Sequence, residues 1–169
     1  DKLEFSYIAC KYKKEYLKKA NKTIYYELPY EMQIASMKNI DLTDKKRAKV
    51  IKWLKEFYDN YELNSKLKGL YLHGSFGSGK TYLIIAMLNE IAKKNYNIVA
   101  IYYPALLRKL KESFNEDFSD RLDYILNADI LLLDDIGAEN VTSWSRDEIL
   151  GTILQHRMDN NLVTFFTSN

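Results

Sequence analysis

Gly74-Ser75-Phe76-Gly77-Ser78-Gly79-Lys80-Thr81 is the stretch from which the architecture of this chain can be read. It is a complete P-loop pattern, and its flanks fit. Gly69-Leu70-Tyr71-Leu72-His73 reads as a strand leading in, and the residues from Tyr82 to Ile91 read as a helix leading out. That strand–loop–helix context gives the pattern a physical meaning, the binding of a nucleoside triphosphate. Gly74, Gly77 and Gly79 supply the loop geometry, and Ser75, Phe76 and Ser78 complete the cradle whose backbone N–H groups converge on phosphate. Lys80 is expected to reach the β- and γ-phosphates and the Thr81 hydroxyl to hold Mg²⁺, so ATP with Mg²⁺ is the expected cofactor pair.

The second half of such a site lies downstream. Asp129-Ile130-Leu131-Leu132-Leu133-Asp134-Asp135 is an apolar run ending in paired acids, a buried strand that delivers carboxylates to its rim. Asp134 is expected to coordinate Mg²⁺, mostly through water, and Asp135 to orient and activate the attacking water as a general base. A further apolar run, Leu162 to Phe166, leads into Thr167-Ser168-Asn169. A polar residue at that strand end can reach the γ-phosphate or the lytic water, which makes Asn169 a candidate sensor; a simple turn asparagine is the alternative.

Between these motifs the chain alternates. Strands are expected at 69–73, 97–102, 129–133 and 162–167, and helices at 80–94, 104–116, 119–127 and 144–159. Short leucine-rich and β-branched strands between helices indicate an α/β fold, a parallel sheet sandwiched by helices. Ahead of the first of these strands, Ala48, Val50, Ile51, Leu54, Phe57, Tyr58 and Tyr61 form an apolar stripe at helical spacing, capped by Asp44 or Thr43. Residues 1–40 carry weaker patterns, an alternation like a short strand at Leu3–Ile8 and another strand candidate at Thr23–Glu27. They are expected to be a linker or the remnant of a preceding module, with the nucleotide-binding body running over 41–169.

Charge divides along the same line. Residues 1–68 hold 16 Lys/Arg against 10 Asp/Glu, and residues 69–169 hold 9 against 13. A basic leading third on an acidic body fits either an anionic partner such as nucleic acid or a lysine-solvated surface. The single cysteine, Cys10, excludes an internal disulfide and cannot form a zinc site by itself. No apolar run is long enough to span a bilayer, and a cytoplasmic protein is expected. On the helix after the second core strand, Arg108, Lys109 and Lys111 are candidate contacts to a nucleic-acid backbone, with ordinary helix surface as the alternative. Tyr102 and Tyr103 are candidates for base stacking, Tyr102 fitting the sheet core better.

The run Leu132-Leu133-Asp134-Asp135-Ile136-Gly137-Ala138-Glu139, then Thr142-Ser143-Trp144, Arg146-Asp147-Glu148, Gln155-His156-Arg157-Met158 and Thr164–Asn169 resembles the AAA+ ATPases, specifically bacterial helicase loaders of the DnaC/DnaI type. The resemblance covers roughly residues 41–169. It implies an AAA+ P-loop fold and an ATP-controlled loader that engages the hexameric replicative helicase. Such a loader places the helicase on single-stranded DNA during primosome assembly and self-associates through AAA+ interfaces. The family's Walker A residues fall on Lys80 and Thr81, its Walker B acids on Asp134 and Asp135, and its sensor asparagine on Asn169. The resemblance also implies that the C-terminal part, with lid and arginine finger, lies beyond Asn169, so that ATP hydrolysis by this chain is weak or assembly-dependent. It further places a zinc-type helicase-binding domain before residue 1, to which Cys10 could belong. Arg146 and Arg157 are expected at a surface or interface, and His156 in a packing or surface position. The rival expectations are a transposition helper ATPase of related type, a P-loop small-molecule kinase, and a degenerate structural domain.

Overall fold

The computed structural model describes residues 23–45, 47–62, 67–112 and 116–169. Its frame is a five-stranded, wholly parallel sheet: β1 (Ile24–Tyr26), β2 (Tyr71–His73), β3 (Ile98–Tyr102), β4 (Ile130–Asp134) and β5 (Val163–Ser168), in spatial order β1-β3-β4-β5-β2. Every residue of β4 is buried, as expected for a strand with neighbours on both sides and helices on both faces. Alternate side chains serve opposite faces. Ile130 and Leu132 join Ile98, Ala100, Val163 and Phe165 in one core, while Leu131 and Leu133 join Val99 and Ile101 in the other. Gly69 marks a close approach of backbone to backbone, since a Cβ there would lie 1.7 Å from the Thr164 carbonyl oxygen.

One face is covered by α2 (Ala48–Asn60) and α3 (Lys80–Ala92), preceded in the chain by a single turn, α1 (Tyr30–Gln33). The expected stripe of α2 packs on the core except at Ala48, which is exposed: Leu54 and Phe57 are buried, and Trp53, Phe57 and Phe165 form an aromatic group with edge contacts of 6.1 and 5.1 Å to Phe165. Its start differs from expectation. The N-cap is Arg47, without a side-chain cap, and the Thr43 hydroxyl instead donates to Asp41 at 2.7 Å. The opposite face carries α4 (Tyr103–Glu112), α5 (Glu116–Asn127) and α6 (Gly151–Asp159). The helix expected over 144–159 begins with a wide π-type turn at Trp144–Leu150, stabilised by reciprocal Thr142 and Ser145 bonds.

The expected boundary at residue 40 is not where this body ends. β1 pairs in parallel with β3, Ile24 opposite Val99, and Leu28, Ala35 and Ile40 are buried in the same core as α3. Asn89 of α3 anchors the segment by donating to the carbonyls of Gln33 and Ala35 and accepting from the Tyr25 hydroxyl. The alternation at Thr23–Glu27 does form a strand, β1, but its partner strand is far away in sequence, so its place in the sheet carries no local signal. The expectations for Leu3–Ile8, Cys10 and the basic run at 11–19 fall outside the described residues. Among the described residues, no helix is long and apolar enough to cross a membrane.

Candidate nucleotide site

The candidate residues meet at the carboxyl ends of β2, β4 and β5, because parallel strands bring the ends of successive units to one edge. Gly79 immediately precedes α3 at φ 82°, a left-handed conformation in which a side chain would be strained. The loop therefore delivers its N–H groups to the helix N-terminus, where partial positive charge favours an anion. Lys80 folds back across the loop. Its Nζ donates to the carbonyls of Gly74 at 2.7 Å and Ser75 at 3.0 Å, and to Asn169 Oδ1 at 2.9 Å.

The acids are held from α3 and from the end of β5. The Thr81 hydroxyl donates to Asp134 Oδ1 at 2.5 Å, and the Thr167 hydroxyl donates to the same oxygen at 2.7 Å. Asn169 Nδ2 donates to Asp135 Oδ1 at 2.6 Å, so Asn169 stands between Lys80 and Asp135. Burial pushes the Asp134 carboxyl above the ordinary range; the Thr81 and Thr167 hydroxyls oppose that, neighbouring Asp135 adds to it, and Lys80 opposes it. A buried carboxylate that two hydroxyls already favour in its charged form is well suited to a cation. Among the described residues, no group of three or more His, Cys, Asp or Glu comes together. A dication here would depend on one carboxylate, one hydroxyl and oxygens from a ligand, the donor set that suits Mg²⁺ with phosphate.

Beside these groups opens a cavity of about 350 Å³, lined on the polar side by Lys80, Thr81, Asp134, Asp135 and Asn169. Its other wall is Leu28, Pro29 and Met32 with Tyr102, an apolar surface from the very segment expected to be linker. Phe76 also borders the opening and is 89% exposed. Sequence reasoning missed this wall and Thr167. The only sequence signal for the wall was the short alternation at Thr23–Glu27; for Thr167 it was its place two residues before the candidate sensor. Arg47 was missed as well, and its guanidinium lies over Gly79, 3.6 Å from where a Cβ would stand.

Other candidates separate from the site. Arg108 and Lys109 are exposed on α4, and Lys111 Nζ sits 5.5 Å over the Trp144 ring. Tyr103 cannot stack on a base, because it is fully buried and its hydroxyl donates to the Ser145 carbonyl at 2.9 Å. Tyr102 is half-buried at the cavity. Arg146 is exposed and paired with Asp147 at 2.7 Å. Arg157, expected at a surface or interface, is instead 1% exposed in the core. It donates to the carbonyls of Ile125, Leu126, Ala128 and Val163 and to the Thr164 hydroxyl. Nothing in a helical register separates such an arginine from a surface one, since its acceptors lie at the end of α5 and the start of β5.

Comparison with known proteins agrees with this geometry. The family described as IstB-like ATP binding protein matches residues 19–169. The replicative helicase loader DnaI of Bacillus subtilis (strain 168) is 43% identical over 136 residues, covering 80% of this chain and 44% of that protein. The chain thus spans less than half the length of that relative. A crystal structure of DnaI is 48% identical with a TM-score of 0.79, over 87% of this chain and 78% of that one. The crystal structure of the DnaC helicase loader is 26% identical with a TM-score of 0.71, over 83% and 80%.

Proposed function

Because this chain belongs to the IstB-like ATP-binding family, within the AAA+ P-loop fold and close to DnaI/DnaC-type helicase loaders, we propose that it is the ATP-controlled switch of a replicative helicase loader. Its partners in this reading are the hexameric helicase, single-stranded DNA and further copies of itself, and its setting is primosome assembly. The observation that carries the reading is the 48% identity to a DnaI structure across most of that chain, joined to an intact set of site residues.

In this proposal the loop 74–81 cradles the triphosphate, and the apolar wall of Leu28, Pro29 and Met32 receives the base. Lys80 neutralises the outer phosphates. Thr81 and Asp134 hold Mg²⁺, which supplies charge neutralisation along the phosphates and orients them. Asp135 accepts a proton from the attacking water, and Asn169, already bonded to both Lys80 and Asp135, aligns that water with the γ-phosphate. The carboxylate of Asp135 is one methylene shorter than a glutamate would be, which weakens its activation of the water and slows hydrolysis.

Nucleotide titration and helicase capture test the two halves. ATP should bind the wild-type protein in a Mg²⁺-dependent manner and bind Lys80→Ala about 10–100-fold more weakly. The intact protein should retain the replicative helicase on a column in an ATP-dependent way. Equal ATP affinity of the two proteins removes the P-loop role, and failure to retain helicase removes the loader assignment.

A further inference from the structure

We propose that Thr167 is a positioning residue that sets the aim of the Asp134 carboxylate and the backbone of Asp135. The inference rests on the reading of Asp134 as the Mg²⁺ ligand and adds a residue to which the sequence assigned no role.

Thr167 is 1% exposed near the end of β5, and its hydroxyl both donates and accepts. It donates to Asp134 Oδ1 at 2.7 Å and accepts the Asp135 N–H at 2.8 Å, while its carbonyl accepts the Ile136 N–H at 2.9 Å. One residue of β5 thus fastens three consecutive positions at the end of β4. Asp135 has a φ of 60°, a left-handed conformation that needs support in a residue with a side chain. The bond from its N–H to Thr167 provides that support where the chain leaves the sheet.

The hydroxyls of Thr81 and Thr167 both converge on Oδ1 of Asp134, and among the described residues none bonds Oδ2. The carboxylate is therefore fixed in rotation, with Oδ2 left to an outside ligand. Thr81 and Thr167 differ in what they can do next. The Thr81 hydroxyl is itself a proposed metal ligand, and once it turns to a metal, Thr167 is the remaining hydroxyl that holds Oδ1. The contribution of Thr167 is then larger with metal than without it. Partners of this sort, which orient a ligand without touching the metal, typically change metal affinity about 10–100-fold when removed.

The test uses Thr167→Val, which keeps the shape and loses the hydroxyl, and Thr167→Ser, which keeps the hydroxyl. Binding of a fluorescent ATP analogue is measured in EDTA and across a Mg²⁺ titration, with thermal melting of each protein without nucleotide. The valine variant should need about 10-fold more Mg²⁺ or greater for half-maximal binding, with affinity in EDTA within about 2-fold of wild type, and serine should restore the wild-type curve. Equal losses with and without Mg²⁺, or equal losses in valine and serine variants, overturn the proposal in favour of a packing role. A valine variant with a wild-type Mg²⁺ curve overturns it too. If valine unfolds the protein, the serine variant decides: any right-shift of its Mg²⁺ curve by about 10-fold contradicts a role for the hydroxyl. A wild-type protein whose nucleotide binding ignores Mg²⁺ counts against the Asp134 assignment itself, which separates the two failures.

Discussion

Lys80 and Arg157 are both cations bound by oxygen acceptors, and they stand at opposite ends of β5. Arg157 meets Val163 and Thr164, where the strand begins, and Lys80 meets Asn169, just past its end. Arg157 is enclosed, and burial lowers its guanidinium to about 10, with Tyr61 and Asp129 opposing that. It remains a cation at neutral pH because five bonds satisfy its planar fork. Lys80 has three acceptors, two of them loop carbonyls and one an amide oxygen, and it lines an open cavity. The difference teaches what each end of a parallel sheet is for. The amino end is tied shut by a buried residue bonded through all three of its nitrogens, and the carboxyl end holds its charge where a phosphate can take over the bonds.

That contrast can be broken most forcefully at Arg157. Arg157→Met should destabilise the protein by about 3 kcal/mol or more in urea unfolding, because four carbonyls lose their buried donor. Lysine should not rescue it, since one ammonium cannot span that fork. If methionine leaves the unfolding midpoint unchanged, the tie is ornamental. Lys80→Ala should do the reverse: ATP affinity falls about 10–100-fold by calorimetry, the worth of a charge-assisted bond, with little change in melting temperature.

Asp134→Asn sharpens the comparison through pH. The folded carboxyl lies above its ordinary value, so its favourable contribution is present in acid and disappears as pH rises through the folded value. At neutral pH the wild type therefore carries a burial cost that asparagine lacks. Melting temperatures measured without nucleotide should show the variant gaining on wild type between acid and neutral pH, while it loses Mg²⁺-dependent binding. Parallel pH curves contradict this. Tyr103→Phe should cost about 1 kcal/mol, one buried hydrogen bond, and leave single-stranded DNA binding untouched. Smallest for stability are Arg108, Lys109 and Lys111, exposed on α4. Alanine at all three should not alter unfolding, but should flatten the salt dependence of DNA binding by about 0.7 for each phosphate that is no longer neutralised.

Much of the body was legible because its signals are local. The P-loop, the acid pair after Leu133 and the alternation of short apolar strands with helices each reside in one contiguous stretch, and β3, β4 and β5 fall within two residues of expectation at their ends. What escaped was non-local. A short strand at Thr23–Glu27 was legible but its pairing with β3 was not, nor was the apolar cavity wall at Leu28, Pro29 and Met32, in the segment that Asn89 anchors. Arg157 carries the same surface pattern as its exposed neighbours, so no local signal sets it apart.

The sequence by itself determined the parallel α/β frame and the phosphate loop, since backbone geometry, helix termini and hydrophobic period follow from neighbours along the chain. Tertiary structure decided which end of the sheet is sealed and which is open. It also set the partner of each cation and made Thr167 the link between the two acids. Hydrogen bonds and burial are satisfied between residues distant in sequence, and only the folded sheet brings those residues within a few ångströms.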